Sequence, residues 1–436
     1  MKRRILLLLG FSVNLFATII NVPADSSTIQ SAINGAVDGD TVIVHPGTYL
    51  EHISYMNKDI TLGSLTLTTG DTAYISQTVI DAQSSPLSST TVSIDSCIAS
   101  LVGFKITGGS GILGGGINIS NSTVVILDVI IQDNHCNGDS LVSDLLGGGL
   151  YIHNSSVQME NVCISDNVAA RANTEGSSMG GGVYVNQSEL TLENVIISRN
   201  VASSGGGVYC MTSDPQLTNV IIEDNGANSD GGIFFNLSNP ILSNVTIRYN
   251  YTGDGSGGCR FIESSPVFDQ INRCNIYGNW RWSFPLCIGI DLYYEGVNDL
   301  LVTLDTFTVL EPTDRYAFPL DHLTFDILHD INGLTVDVTS FHAPSDYKLF
   351  HNYPNPFNPS TTISYEIPEQ SMVSLTIFDI RGQEVSTLGQ SDKPPGNYEV
   401  QWNGLDKSGN PVSTGVYFCR LEAGEFSQTI KMLYLK

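Results

Sequence analysis

The sequence predicts an all-β chain in two parts: a parallel β-helix with three strands per coil and a helical N-terminal cap, then a small C-terminal β-sandwich. Three observations predict it. A unit built on Asn and glycine recurs six times between residues 114 and 279. Every apolar run inside it is short, β-branched and split by Gly, Asn or Ser, which marks strands rather than helices. From residue 346 the repeat gives way to alternating strands with proline and glycine turn signals.

The N-terminus is the first element. Lys2, Arg3 and Arg4 precede an apolar run from Ile5, and small residues such as Ala17 follow. Basic, then apolar, then small is the layout of a secretory signal peptide, expected over 1–19. Nothing later is long and apolar enough to span a membrane, so no transmembrane segment is expected once the signal is removed. Next comes NVPADSSTIQSAINGAVDGDTVIVHPGTYLEHI, residues 21–53. Ser26 or Ser27 can cap a short helix over Thr28–Ala36, with Ile29, Ala32 and Ile33 on one face. A helix ahead of the strand-like GDTVIVHPGTY would plug the open end of the coil, where unpaired strands invite aggregation.

The β-helix is expected over 20–290. Aligned on their last Asn, the copies DVIIQDN, NVCISDN, NVIISRN, NVIIEDN, NVTIRYN and RCNIYGN end at Asn134, Asn167, Asn200, Asn225, Asn250 and Asn279. The intervals are 33, 33, 25, 25 and 29 residues, and glycine clusters at 114, 147, 180, 205, 230 and 257 keep step. Each unit has three apolar-alternating runs, such as Val183–Val185, Leu190–Leu192 and Val195–Ile197. Stacked units pair each strand with its equivalent one coil away. Val183, Val185, Val195 and Ile197 then point inward. The Asn residues sit at turns, where Asn tolerates the left-handed conformation and amides can bond along the column. A partial second column runs Asp128, Asn161, Asn194, Asn219, Asn244, Arg273. The glycines occupy places where a Cβ would crowd the adjacent coil.

With its opening motif and repeats, the chain over roughly residues 20–290 resembles the right-handed parallel β-helix proteins of the pectin lyase-like superfamily. The motif is specific for the fold and not for an activity. Residues 291–345 lose the repeat and read as a closing β cap or connector. Residues 346–436 hold about seven short strands, the pattern of a small β-sandwich. The stretches NYPNPFNPSTTISYEIP, VSLTIFDIRGQEV, WNGLDKSGNPVSTGVY and KMLYLK resemble the type A C-terminal sorting domain of the type IX secretion system. That family shares its look with the immunoglobulin-like domain of flagellar hook capping proteins. The resemblance implies a Gram-negative source, the type IX machinery as partner, and a secreted or outer-surface location.

Composition bounds the function. The chain carries 44 acidic and 19 basic residues, a net charge of -25, which disfavours nucleic acid and anionic membranes as partners. Eight cysteines form no Cys-x-x-Cys, so no metal site is expected and no disulfide can be assigned from spacing. Cys210, Cys259 and Cys274 fall at interior positions. The superfamily includes polysaccharide lyases and hydrolases, and a lyase would call for calcium. Hydrolysis needs two placed carboxylates. Asp133, Asp166 and Asp224 line one turn, but Arg199 interrupts them, and no catalytic residue is assigned. His135 and His153 stand alone. The outward position between the two inward residues of one strand reads Asn118, Tyr151, Tyr184, Tyr209, Phe234, Arg260. Tyr151, Tyr184, Tyr209 and Phe234 would form an exposed aromatic column suited to sugar rings or to an apolar partner. Loops at 135–146 and 168–179 would wall it, against only 201–204 in the next coil. The expected role is glycan or surface binding, or a structural one, without a cofactor; the alternative is a polysaccharide lyase or glycoside hydrolase on the same scaffold.

Overall fold

The structure, a computed structural model, describes residues 17–83, 89–136, 144–169, 177–283, 286–288, 291–296, 298–331, 347–349, 352, 357–367, 371–393, 396–407, 409–424 and 426–434. The signal peptide lies outside the described residues up to position 16, as do 137–143 and 170–176 of the two long loops, and 332–346 of the connector. The chain divides into two compact units, Met1–Gly333 and Leu334–Lys436.

The first unit is a right-handed parallel β-helix. One coil shows its construction. Val183–Asn186 lies in a ten-stranded sheet, Glu189–Ser198 in a long sheet, and Val201–Ser204 in a nine-stranded sheet. The chain turns at residues with positive φ: Gln187 (51°), Asn194 (54°, a bend within the strand), Arg199 (55°) and Gly205 (61°). Val201–Ser204, expected as a loop, is therefore a strand. Its backbone pairs with Gly226–Ser229 of the next coil, which satisfies groups a loop would leave to water. The long loops likewise begin and end in short strands, His135–Cys136 and Leu145–Leu146 in the first, Val168–Ala169 and Ser178–Met179 in the second.

Inward side chains stack in columns, and Val183, Val185, Val195 and Ile197 are completely buried. Cys210, Cys259 and Cys274 fill the same core as free thiols, as their positions suggest. The turns need a correction. Asn134, Asn167, Asn200, Asn225, Asn250 and Asn279 are buried and do not take the left-handed conformation; Asp133, Asp166, Arg199, Asp224, Tyr249 and Gly278, one residue earlier, do. The Asn side chain must point inward to bond along the axis, so the preceding residue makes the turn. Asn200 is typical. Its Oδ1 accepts from the backbone N (3.0 Å) and Nδ2 (3.0 Å) of Asn167, and its Nδ2 donates to Ile164 O (2.9 Å) and Asn225 Oδ1 (3.0 Å). The ladder runs from Gly109 N to the buried carboxylate of Asp291, which accepts from Asn279 N and Nδ2. The outer column behaves as expected as far as Asn244: Asp128, Asn161, Asn194, Asn219 and Asn244 are left-handed.

A second interior ladder marks the opposite corner. Ser122, Ser155, Ser188, Ser213, Ser238 and Ser264 are buried. Each of the first five donates its backbone N–H to the next hydroxyl at 3.0–3.1 Å, as Ser155 does to Ser188. The glycine cluster follows from sterics. A Cβ on Gly206 would lie 2.4 Å from Gly226 O and 2.6 Å from Gly231 O, so no side chain fits between the coils.

The helical cap is Ile29–Gly35, with Ile29, Ala32 and Ile33 buried. Thr28, not Ser26 or Ser27, is the N-cap, accepting from Ser31 N at 3.1 Å. Charges serve both ends. The Glu51 carboxylate accepts from Ile29 N and Gln30 N at 2.9 and 3.0 Å, and Lys58 Nζ donates to Ile33, Asn34 and Ala36 carbonyls at 2.7–2.9 Å. At the other end, parallel pairing continues past residue 290. Leu292–Glu295, Leu300–Phe307 and Leu323–Asp330 extend the sheets, burying Leu292, Tyr294, Val302 and Phe307. As far as Asp330, the expected closing unit is thus further coils without the Asn and glycine signature.

The second unit is antiparallel. Lys348–Leu349, Thr361–Ile367 and Gly396–Trp402 form one sheet; Glu384–Lys393, Ser371–Asp379, Gly415–Ala423 and Phe426–Tyr434 form the other. Of the aromatic residues in its sequence motifs, Phe357, Tyr365, Trp402, Tyr417 and Tyr434 are core. Phe357 packs on Trp402 and Tyr434, and Trp402 meets Tyr417 edge-on at 5.2 Å. Trp402 Nε1 donates to Leu405 O, and Tyr417 Oη to Ser413 O.

Candidate functional site

The strands of the ten-stranded sheet bring Asn118, Tyr151, Tyr184, Tyr209, Phe234, Arg260, Tyr293 and Phe318 into one register column. The alignment of Tyr151, Tyr184, Tyr209 and Phe234 is as expected from the repeat. Their exposure is not: Tyr151, Tyr184 and Phe234 are only 9%, 4% and 7% exposed, and Tyr209 is half-buried. The coil spacing of ~4.8 Å sets each ring against its neighbours, yet Tyr209, with a ring on either side, is the most exposed of the four. Centroids lie 5.5, 5.6 and 4.8 Å apart down the four rings, the first two pairs near parallel. Ring faces that would meet a sugar are covered by other rings. Burial pushes the Tyr184 phenol up to about 12, with Tyr209, Tyr151 and Asp144 adding to the effect.

The stack continues beyond the four residues the sequence singled out. The Arg260 guanidinium lies between the Phe234 and Tyr293 rings, 5.7 and 4.7 Å from their centroids, and Tyr293 stands 5.6 Å from Phe318. Arg260 Nη1 meets Asp230 Oδ2 at 3.4 Å. Desolvation raises the buried Asp230 carboxyl, against the opposing pull of Arg260.

The turn acids do not assemble a site. Asp166 is held by a bidentate pair with Arg199 at 2.7 and 2.8 Å, which lowers its pKa. Arg248 pairs with Glu223 instead at 2.7 Å. The Arg that interrupts the acidic row is therefore the partner of the preceding acid. His135 is exposed and His153 half-buried, on different strands. Among the described residues no cluster of three or more His, Cys, Asp or Glu is placed to hold a metal ion.

The structure opens a different place, on the outside of the corner made by the serine ladder. A trough of about 890 Å³ crosses four coils there, lined by Thr123, Ser156, Gln158, Gln187, Glu189, Thr191, Thr212, Asp214 and Gln216 among others. Gln158, Thr191 and Gln216 are register neighbours, as are Ser156 and Glu189. They are outward because Val157, Leu190, Met159, Leu192 and Leu217, which alternate with them, are buried. Positive φ at Asn121, Asn154, Gln187 and Thr212 turns the chain so that each coil contributes a corner residue to the rim. Ser156 Oγ donates to Glu189 Oε2 at 3.1 Å, and Asp214 Oδ1 accepts from Asn239 N and Nδ2 at 2.7 and 3.1 Å. The sequence signal for this face was the polar half of the alternation around Leu190–Leu192.

Comparisons place these two units. Residues 148–309 match the family model described as a right handed beta helix region, and residues 357–425 match the FlgD Ig-like domain. No curated protein matches the chain. Among solved structures, dimeric latent PorU from Porphyromonas gingivalis is similar over 21% of this chain and 10% of its own, at 19% identity and a TM-score of 0.18. PorZ of the type-IX secretion system of the same organism is similar over 22% of this chain and 12% of its own, at 25% identity and a TM-score of 0.16. Pectin methylesterase PemA from Erwinia chrysanthemi is similar over 70% of this chain and 93% of its own, at 11% identity and a TM-score of 0.31. The chain thus spans about a tenth of the length of the first two. Among the described residues, no helix is long and apolar enough to cross a membrane.

Proposed function

We propose that the protein is a secreted or cell-surface β-helix protein of a Gram-negative bacterium that binds a glycan in the polar trough without cleaving it. The observation that carries this reading is the trough: an open groove along several coils, lined by hydroxyl, amide and carboxylate groups. Polysaccharides are recognised by such groups, and a rigid repeated scaffold presents them at fixed intervals. The aromatic column is reassigned to stability, since its ring faces are covered. The C-terminal unit is read as the export module for type IX secretion. Its support is the run of motifs from Asn352 to Lys436 together with the FlgD Ig-like match.

The experiment uses the full chain with acidic and neutral polysaccharides, with and without calcium. Retardation in polysaccharide-containing gels without release of new reducing or unsaturated ends is expected. Release of products would refute the non-catalytic reading in favour of a lyase or hydrolase. For export, deletion of residues 347–436 is expected to trap the protein in the periplasm; normal surface delivery would refute the sorting role.

A further inference from the structure

We infer that the trough takes an uncharged, hydroxyl-rich polysaccharide lying along the coil axis, and rejects polyuronates. This rests on the glycan-binding reading and names its ligand class.

Hydrogen-bonding capacity is the first argument. In the outer turn column the amides are spent along the column: Asn161, Asn194, Asn219 and Asn244 each donate Nδ2 to the side chain of the previous coil. In the trough Asn154 Nδ2 donates to Asn121 Oδ1, while the side chains of Gln158, Gln187 and Gln216 have no hydrogen-bond partner among the described residues. Each offers two donors and an acceptor to a ligand. Sugar hydroxyls both give and accept, which suits a row of amides.

Charge is the second argument. Among the described residues, the only charged ones lining the trough are Glu189 and Asp214, and no Lys, Arg or His lines it. One oxygen of each acid is occupied, by Ser156 and Asn239 respectively. The other oxygen can accept from a hydroxyl. A uronate carboxylate brought there would meet like charge on a chain of net charge -25, with no cation to offset it. Spacing is the third argument. The polar groups repeat at the coil interval of ~4.8 Å, comparable to one sugar ring along an extended polysaccharide, so a periodic ligand can meet equivalent groups on successive coils.

The test is affinity electrophoresis of the full chain in gels containing a soluble β-glucan, a galactomannan or polygalacturonate, with a chelator present so that calcium cannot bridge acidic chains. Two variants are run beside it: Gln158→Ala with Gln216→Ala, and the size-preserving Gln158→Glu with Gln216→Glu, each checked by circular dichroism. The wild type should be retarded by a neutral glycan and not by polygalacturonate. Each double variant should bind on the order of tenfold or more weakly, as expected for two lost hydrogen bonds. Retardation by polygalacturonate that both variants lose would overturn the ligand class and leave the glycan reading standing. Neutral-glycan binding unchanged in both variants would overturn the trough as the site. Retardation by none of the polymers would refute the glycan reading itself.

Discussion

Asn200→Ala isolates what the amide ladder contributes. The side chain is completely buried, and removing it deletes four hydrogen bonds: Asn167 N loses its acceptor and Ile164 O one donor, while Asn167 Nδ2 keeps Ile131 O and Asn225 Oδ1 keeps Asn200 N. A hydrogen bond contributes about 1 kcal/mol net, so the four lost bonds cost about 4 kcal/mol. Ser188→Ala is the internal control. It deletes two hydrogen bonds, leaving Ser155 N without its acceptor while Asn186 O keeps Asn154 N, for about 2 kcal/mol on the same scale. The assay is guanidinium denaturation of the full chain followed by far-ultraviolet circular dichroism, comparing midpoints at matched slope. The Asn variant should lose about twice as much stability as the Ser variant. If Asn200→Ala costs less than Ser188→Ala, or under about 1 kcal/mol, the ladder is not the stabilising device argued above. Asn200→Asp adds a sign test. Its second oxygen would face two acceptors, so the ionised form is disfavoured and the folded pKa is raised. Stability should then be greatest at low pH and fall as pH rises through that pKa.

Four further outcomes follow. Burial raises the Asp291 carboxyl to about 6, against the donors of Asn279. Because the folded value lies above the unfolded one, this group's contribution is full below the unfolded value and lost as pH rises from about 4 to about 6. Asp291→Asn keeps the acceptor for Asn279, and should flatten that part of the stability-pH profile and gain on the order of 2–3 kcal/mol at neutral pH. Tyr184→Ala removes a buried stacked ring and should cost about 3–5 kcal/mol by denaturation, while leaving polysaccharide retardation unchanged; weakened retardation in a folded variant would restore the column as a binding face. Lys58→Met removes the ammonium shared by three carbonyls at the end of the cap helix and should cost about 1–3 kcal/mol, read as faster hydrogen exchange over Ile29–Gly35. Gly206→Ala, with its Cβ forced against two carbonyl oxygens, should prevent recovery of folded protein.

Much of the fold was legible because a β-helix writes its period into the chain. Each coil must repeat an inward apolar pair, a laddering Asn and a glycine gap, and those three demands are visible at Val195, Ile197, Asn200 and Gly205–Gly207. The serine ladder was equally periodic, at Ser155, Ser188 and Ser213, but a hydroxyl among many polar turn residues carries no distinguishing pattern. The last coils were missed for a related reason. Leu292–Asp330 stacks by burying apolar residues, without the Asn and glycine signature that marked the others.

The sequence by itself determined which residues share a column, because register in stacked parallel strands is a matter of counting. It placed Tyr151, Tyr184, Tyr209 and Phe234 together; the column of Gln158, Thr191 and Gln216 was read from the structure. Only the tertiary structure decided which outward column meets solvent. The rings stack on one another down the sheet, whereas Gln158, Thr191 and Gln216 lie beside the serine corner and line an open groove. Exposure is set by what lies across from a side chain and by the curvature beneath it, and neither is a property of the repeat.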